Sequence, residues 1–267
     1  MKISEQEKIV ADELISKFLQ FKDVLPYANI GNNNKYKGWV NNFNLTTVSG
    51  ETIKLDLKKE NDLFLLFVLA IVWSRTGHWE NSAFFVSYLR INKKDNVSYW
   101  SENNNITYEK NKRIESAKMT SESLTGHVPR RKISFRKDIF NSIFLLATKW
   151  EEIKESLKNS EEQKDFTTFM TYMREIEGLG VGNRKMLIKI PLILRELRCQ
   201  NIYENISGEL CCVPDARVFD AGKKLNLKIP RTGNLESLIL SSTKIYQLFG
   251  DLYDIPLFAY NDLKNLL

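Results

Sequence analysis

Eleven consecutive residues, Leu63 to Trp73, carry no polar side chain. A run this apolar has to leave water, yet as a helix it rises only about 16 Å, roughly half the hydrocarbon core of a bilayer. It therefore reads as the buried helix of a globular core, and the rest of the chain must supply the shell around it. From Asp62 onward the sequence does this with apolar residues at helical spacing, broken by short polar loops. The pattern predicts helices near 61–73, 80–91, 136–157, 163–176, 183–198, 216–226, 234–248 and 255–267. An earlier helix is expected across 5–22, through Ile9, Val10, Leu14, Phe18 and Leu19. The Asn-rich stretch 29–44 should be irregular, and residues 43–57 alternate around Ser49-Gly50 as a small β-hairpin would. The expected fold class is mainly α with a minor N-terminal β-hairpin.

Composition narrows the chemistry. The formal charge of +6 favours an anionic partner without requiring one. Cys199, Cys211 and Cys212 are an odd set with two neighbours adjacent, a poor disulfide framework that fits a reducing compartment. They are too few for a four-Cys iron–sulfur or zinc site, and His78 and His127 stand far apart in sequence without nearby Cys, so no metal is expected. The N-terminal MKISEQEKIVADELISKF is charged and amphipathic and lacks the apolar segment of a signal peptide. A soluble, cytoplasmic protein is expected, without membrane contact.

The sharpest local signal is Glu177-Gly178-Leu179-Gly180-Val181-Gly182-Asn183-Arg184-Lys185-Met186. Amphipathic spacing precedes it, through Phe166, Phe169, Met170, Met173 and Ile176, and an apolar-rich helix follows, through Leu187, Ile188, Leu192, Leu194 and Leu197. Gly180 and Gly182 flank the single apolar Val181, and a turn without Cβ atoms lets backbone approach a phosphate closely. The next helix starts at Gly182–Asn183, so its free N–H groups and positive dipole end face the same point. Arg184 and Lys185 add charge there. Helix, glycine turn and helix together can grip a nucleic-acid backbone without reading its sequence.

These residues resemble the hairpin of the helix-hairpin-helix DNA glycosylase superfamily, with Gly178 standing where Pro is common. Val213-Pro214-Asp215-Ala216-Arg217-Val218-Phe219 is similar to the segment that carries that family's catalytic Asp, and places Asp215 in that role. The nearest likeness is to the 8-oxoguanine DNA glycosylases, the archaeal type in particular. The resemblance implies a fold of two helical subdomains with the site in the cleft between them. It would cover 61–267, with 1–60 as an N-terminal helix and hairpin extension. It also implies double-stranded DNA as partner and a monomer, with no cofactor beyond a monovalent cation that the hairpin can hold. The activity implied is excision of a damaged or modified base, such as an oxidised purine, by flipping the nucleotide out and cleaving its N-glycosidic bond. Cleavage of the strand by β-elimination could accompany it.

An Asp suits that chemistry, because breaking the bond builds positive charge on the sugar. Pro-Asp before an apolar helix is equally ordinary N-cap chemistry, and one side chain can do both. Strand-cleaving members of the family carry a Lys two residues after the last hairpin glycine. Here that position is Arg184, whose guanidinium offers no lone pair, and Lys185 follows. Lys185 is thus the expected nucleophile, or else a phosphate contact. Lys189, one turn on, and a water activated by Asp215 are the alternatives.

The loop Ser74-Arg75-Thr76-Gly77-His78-Trp79-Glu80 lies where the family carries the residue that fills the emptied base stack. Arg75 or His78 could enter that gap and Trp79 could stack on a base, or simply pack at a helix start. The archaeal-type enzymes have a Gln near Trp73–Arg75, and none is present here. Arg130, Arg131, Lys132, Arg136 and Lys137 could form a second phosphate contact or a solvated loop. Phe249, Tyr253, Phe258 and Tyr260 are candidate pocket walls or core. Two other functions stay open: action on another modified base, for instance on foreign DNA, and a non-catalytic hairpin module that holds DNA.

Overall fold

A computed structural model describes residues 3–25, 27–38, 45–46, 52–76, 82, 85–86, 89–90, 93–102, 137–177, 179, 184–231 and 233–266. Over these residues the protein is mainly helical. Helix α1 spans Glu5–Phe21, α2 Glu60–Thr76, α3 Val97–Glu102, α4 Lys137–Thr148 and α5 Trp150–Gln163. The second half contributes α6 Thr167–Glu175, α7 Arg184–Cys199, α8 Ala216–Lys224, α9 Leu235–Phe249 and α10 Ile255–Lys264. Two short strands, β1 Leu45–Thr46 and β2 Thr52–Ile53, pair antiparallel with Leu45 opposite Ile53 and Thr46 opposite Thr52. Of the hairpin expected over 43–57, this pair is present, residues 54–57 are described outside any strand, and the turn around Ser49-Gly50 lies outside the described residues.

Helix α2 holds the centre. Glu60 and Asp62 occupy its first turn, where the helix dipole favours negative charge. Asp62 also accepts the Asp56 N–H at 2.8 Å, fixing the entry of the chain. Residues 63–72 are buried all round, as an all-apolar helix must be. α2 packs on α7 along one side and on α4 along another. The Phe64 and Phe67 rings stand edge-on to Trp150, at 5.2 and 5.3 Å, and Phe67 meets Phe169 at 6.3 Å. The Trp150 indole N–H donates to Glu60 at 3.0 Å, so the buried ring keeps its polar edge satisfied.

The chain's beginning is built into the same hydrophobic cluster as its end, with Ala11, Leu14 and Phe18 alongside Leu257 and Leu263. α1 packs on α9 and α10. It starts at a capping box, in which the Ser4 hydroxyl accepts the Glu7 N–H and the Glu7 carboxylate accepts the Ser4 N–H. The Tyr36 N–H donates to the Asp251 carbonyl at 3.0 Å, and the Leu57 N–H to Gln200 at 3.2 Å.

The helix expected over 136–157 is divided. α4 ends at Thr148, Lys149 leaves helical geometry with φ −100° and ψ 8°, and α5 runs on to Gln163. The break brings Trp150 onto Phe64 and Phe67. Lys164 then closes α5 in the left-handed region at φ 56°, and α6 begins at Thr167 rather than near 163. The short α3 was not expected. It follows Asn96, whose side chain accepts the Tyr99 N–H at 2.8 Å. Most of the expected 80–91 helix lies outside the described residues. Among the described residues no helix is long and apolar enough to cross a membrane.

Candidate active site

Asp215 is the N-cap of α8, with extended backbone at φ −85° and ψ 179°. Its two carboxylate oxygens have different partners. Oδ1 accepts the Arg217 and Val218 N–H groups at 3.1 and 3.2 Å, satisfying two donors that a helix start leaves open. Oδ2 accepts from the Lys189 ammonium at 3.0 Å. The Asp215 side chain is 22% exposed and that of Lys189 8%, so the carboxylate is the more accessible member of the pair. Lys189 arrives from α7, flanked by Ile188 and Ile190 in the sequence, and lies over the Trp73 ring at 4.3 Å from its centroid. An aromatic face attracts a cation, so Trp73 and Asp215 both favour the ammonium where it sits.

The segment leading into Asp215 has no regular secondary structure, and side chains hold it. The Cys212 N–H donates to the Ser242 hydroxyl at 2.9 Å, and the Val213 N–H donates to Asp254 Oδ1 at 2.8 Å. The same Oδ1 accepts from Arg195 at 2.7 Å. Arg195 and Asp254 are both buried, and the Arg195 guanidinium lies 5.3 Å from the Tyr36 ring and 6.0 Å from the Tyr253 ring. Burial pushes the Asp254 carboxyl up, the Arg195 charge and the Val213 N–H pull it back, and the negative charge of Asp215 adds to the rise.

Beyond the cap, the Arg217 guanidinium reaches Asp262 at 2.5 Å and lies 4.1 Å from the Phe258 ring. The Tyr27 hydroxyl donates to the same Asp262 oxygen, also at 2.5 Å, and its ring stands edge-on to Phe258 at 5.0 Å. Burial and Asp262 together push the Tyr27 hydroxyl well above its ordinary range. The N-terminal segment, α8 and α10 thus meet beside Asp215.

The structure brings together only some of the residues expected from sequence. Asp215 and Lys189 meet. Lys185 lies in α7 one turn before Lys189, and Arg184 begins that helix, but their side chains are outside the described residues. So are Gly178, Gly180, Val181, Gly182 and Asn183, and His78, Trp79 and the Arg130–Lys137 side chains. Arg75 is described: its guanidinium donates to Ser142 at 2.7 Å, to Ser74 at 3.1 Å and to the Ile71 carbonyl at 3.3 Å, which ties the end of α2 to α4. Trp73, Arg195, Asp254 and Arg217 were not picked out as site residues from sequence. A lysine between two isoleucines in an apolar-rich helix was a usable signal for Lys189, because a buried ammonium needs a partner. Among the described residues, no group of three or more His, Cys, Asp or Glu is placed to hold a metal.

Comparison with models of known families, with curated proteins and with solved structures found no match.

Proposed function

We propose that this chain is a DNA glycosylase of helix-hairpin-helix type, acting on a modified base such as an oxidised purine in double-stranded DNA. The observation that carries the reading is the 3.0 Å contact between Lys189 and Asp215, with the carboxylate at a helix start and still open to solvent. The glycine turn 178–182 in the sequence supports it as a backbone grip immediately before the helix that bears the lysine.

In this reading the flipped nucleotide lays its sugar against Asp215. The carboxylate stabilises the positive charge that grows on the sugar as the N-glycosidic bond breaks, and the base leaves with the bonding electrons. Oδ1 stays on the helix N–H groups, so the carboxylate is oriented before substrate arrives. Lys189 is the nucleophile best supported by geometry. Asp215 accepts its ammonium proton, and the freed amine bonds to C1′ as the base departs. Asp215 then returns the proton to O4′ as the C1′–O4′ bond breaks, leaving a protonated Schiff base that can support β-elimination. Lys185 and a water activated by Asp215 are the competing nucleophiles.

Labelled duplexes with single lesions, incubated with the protein and then treated with alkali, test the activity. Cleavage at one or more lesions is expected, and Asp215→Asn should slow it at least about 100-fold. No break at any lesion would overturn the enzyme reading in favour of a DNA-holding module. Borohydride should trap a covalent protein–DNA adduct that Lys189→Ala abolishes. Trapping lost only in Lys185→Ala would move the nucleophile one turn, and no trapping would leave water.

A further inference from the structure

Two charged groups at the centre of the molecule play no part in the chemistry just described. Arg195 lies on α7, six residues after Lys189, and Asp254 stands just before α10. Both are nearly inaccessible, at 3% exposure each. A buried ion pair adds little to stability compared with apolar residues of the same shape, so its presence calls for another explanation.

Its third partner supplies one. Asp254 Oδ1 accepts from Arg195 at 2.7 Å and from the Val213 N–H at 2.8 Å, and Val213 is two residues before Asp215. The Asp215 N–H in turn donates to the Val213 carbonyl at 2.9 Å. One oxygen therefore joins the helix that carries Lys189 to the segment that carries Asp215. That segment depends on side chains for its N–H partners, with Ser242 on Cys212 and Asp254 on Val213.

We infer that Asp254 is a positioning residue, which with Arg195 fixes the Asp215 carboxylate at contact distance from Lys189 by holding the Val213 N–H. The inference rests on the glycosylase reading for its catalytic consequence but not for its structural one. Displacing a catalytic group by about 1 Å is enough to cost about 100-fold in rate, so the joint has leverage without touching substrate.

The test uses two variants. Arg195→Met/Asp254→Ala removes both charges together, leaves the Val213 N–H without its acceptor, and takes from the buried Glu196 its ion partner at 3.6 Å. Asp254→Asn keeps an oxygen for that N–H. The Lys189 ammonium signal is followed by nitrogen-15 NMR in lysine-labelled protein, with Lys189→Ala for assignment. Excision rate and duplex affinity are measured alongside. In the folded double variant the Lys189 signal should shift or broaden, and the rate should fall about 100-fold with affinity within about twofold. Asp254→Asn should restore the signal and most of the rate. A Lys189 signal at its parental position in the double variant would overturn the inference, as would equal losses in the two variants. If the double variant does not fold, Asp254→Glu keeps the charge but shifts the carboxylate by one methylene, and an unchanged Lys189 signal there overturns it equally. If the parental protein excises no base, the glycosylase reading falls, while the Lys189 signal still decides the positioning role.

Discussion

Asp215 divides its work between two oxygens, so substitutions there and at Lys189 should have unequal costs. Asn caps a helix about as well as Asp, so Asp215→Asn keeps the start of α8. It also removes the only carboxylate within ion-pair distance of Lys189 among the described residues, and Lys189 is 8% exposed. An ammonium left buried without its counter-charge is destabilising, here by about 2–3 kcal/mol. Lys189→Met removes the cation instead. The remaining carboxylate is 22% exposed and still bonded to the Arg217 and Val218 N–H groups, so the loss should stay within about 1 kcal/mol. Urea unfolding of the two variants checks the order. Equal losses would mean that the cap, not the pairing, governs this corner of the fold.

At the level of elements, α1 is held to α9 by one carboxylate with several donors. Glu7 accepts from Lys244 at 2.9 Å, from the Lys228 N–H at 3.0 Å, and from the Ser4 backbone within the capping box. Burial alone would raise its carboxyl, but these bonds outweigh burial and bring it down from 4.5 to about 2. A carboxyl held lower in the folded than in the unfolded state stabilises the fold above the unfolded value. Its contribution is complete above about pH 5 and is lost as pH falls from 4.5 towards 2. It amounts to something on the order of 3 kcal/mol. Glu7→Gln should therefore lower stability at pH 7 while flattening its decline between pH 5 and pH 2, as followed by helical signal in acid titrations. Such element-joining contacts were the part of the fold least legible in sequence. α1, α2 and α7–α10 could be placed from apolar period, and the start of α8 also from Asp215 as a cap, because those signals lie within a few positions of each other. The break at Lys149 could not be placed, since no Gly or Pro marks it and the reason for it is Trp150 finding Phe64 and Phe67 more than eighty positions away. The site divides in the same way. Asp215 stood out from Pro-Asp before a helix. Lys189 was legible only as an alternative one turn after Lys185, while its pairing with Asp215, the Trp73 face beneath it and the Arg195–Asp254 joint join positions 26 to 116 apart, which no local pattern encodes.

For the whole molecule, the net charge of +6 is small for a chain of 267 residues, so any grip on DNA has to come from local placement of donors rather than from a general positive field. In the proposed reading the glycine turn and the start of α7 would supply backbone N–H groups and the charges of Arg184 and Lys185, while several other described cations are already paired. Arg195 and Lys244 are buried in ion pairs, Lys189 faces Asp215, and Arg217 is held by Asp262. A footprint that neutralises roughly four phosphates would give a slope near −3.6 in log affinity against log salt, or about a 150-fold loss between 50 and 200 mM. A protein that relied on overall charge would show a steeper slope, spread over many lysines. Replacing Arg184 and Lys185 together with Ala should flatten the slope by about two and weaken undamaged and damaged duplexes alike, because phosphate contacts carry no sequence or lesion information. Fluorescence anisotropy on both duplexes across a salt series measures this. A slope unchanged in the double variant would place the proposed DNA contact somewhere other than the start of α7, and would separate the proposed backbone grip from the proposed chemistry at Asp215.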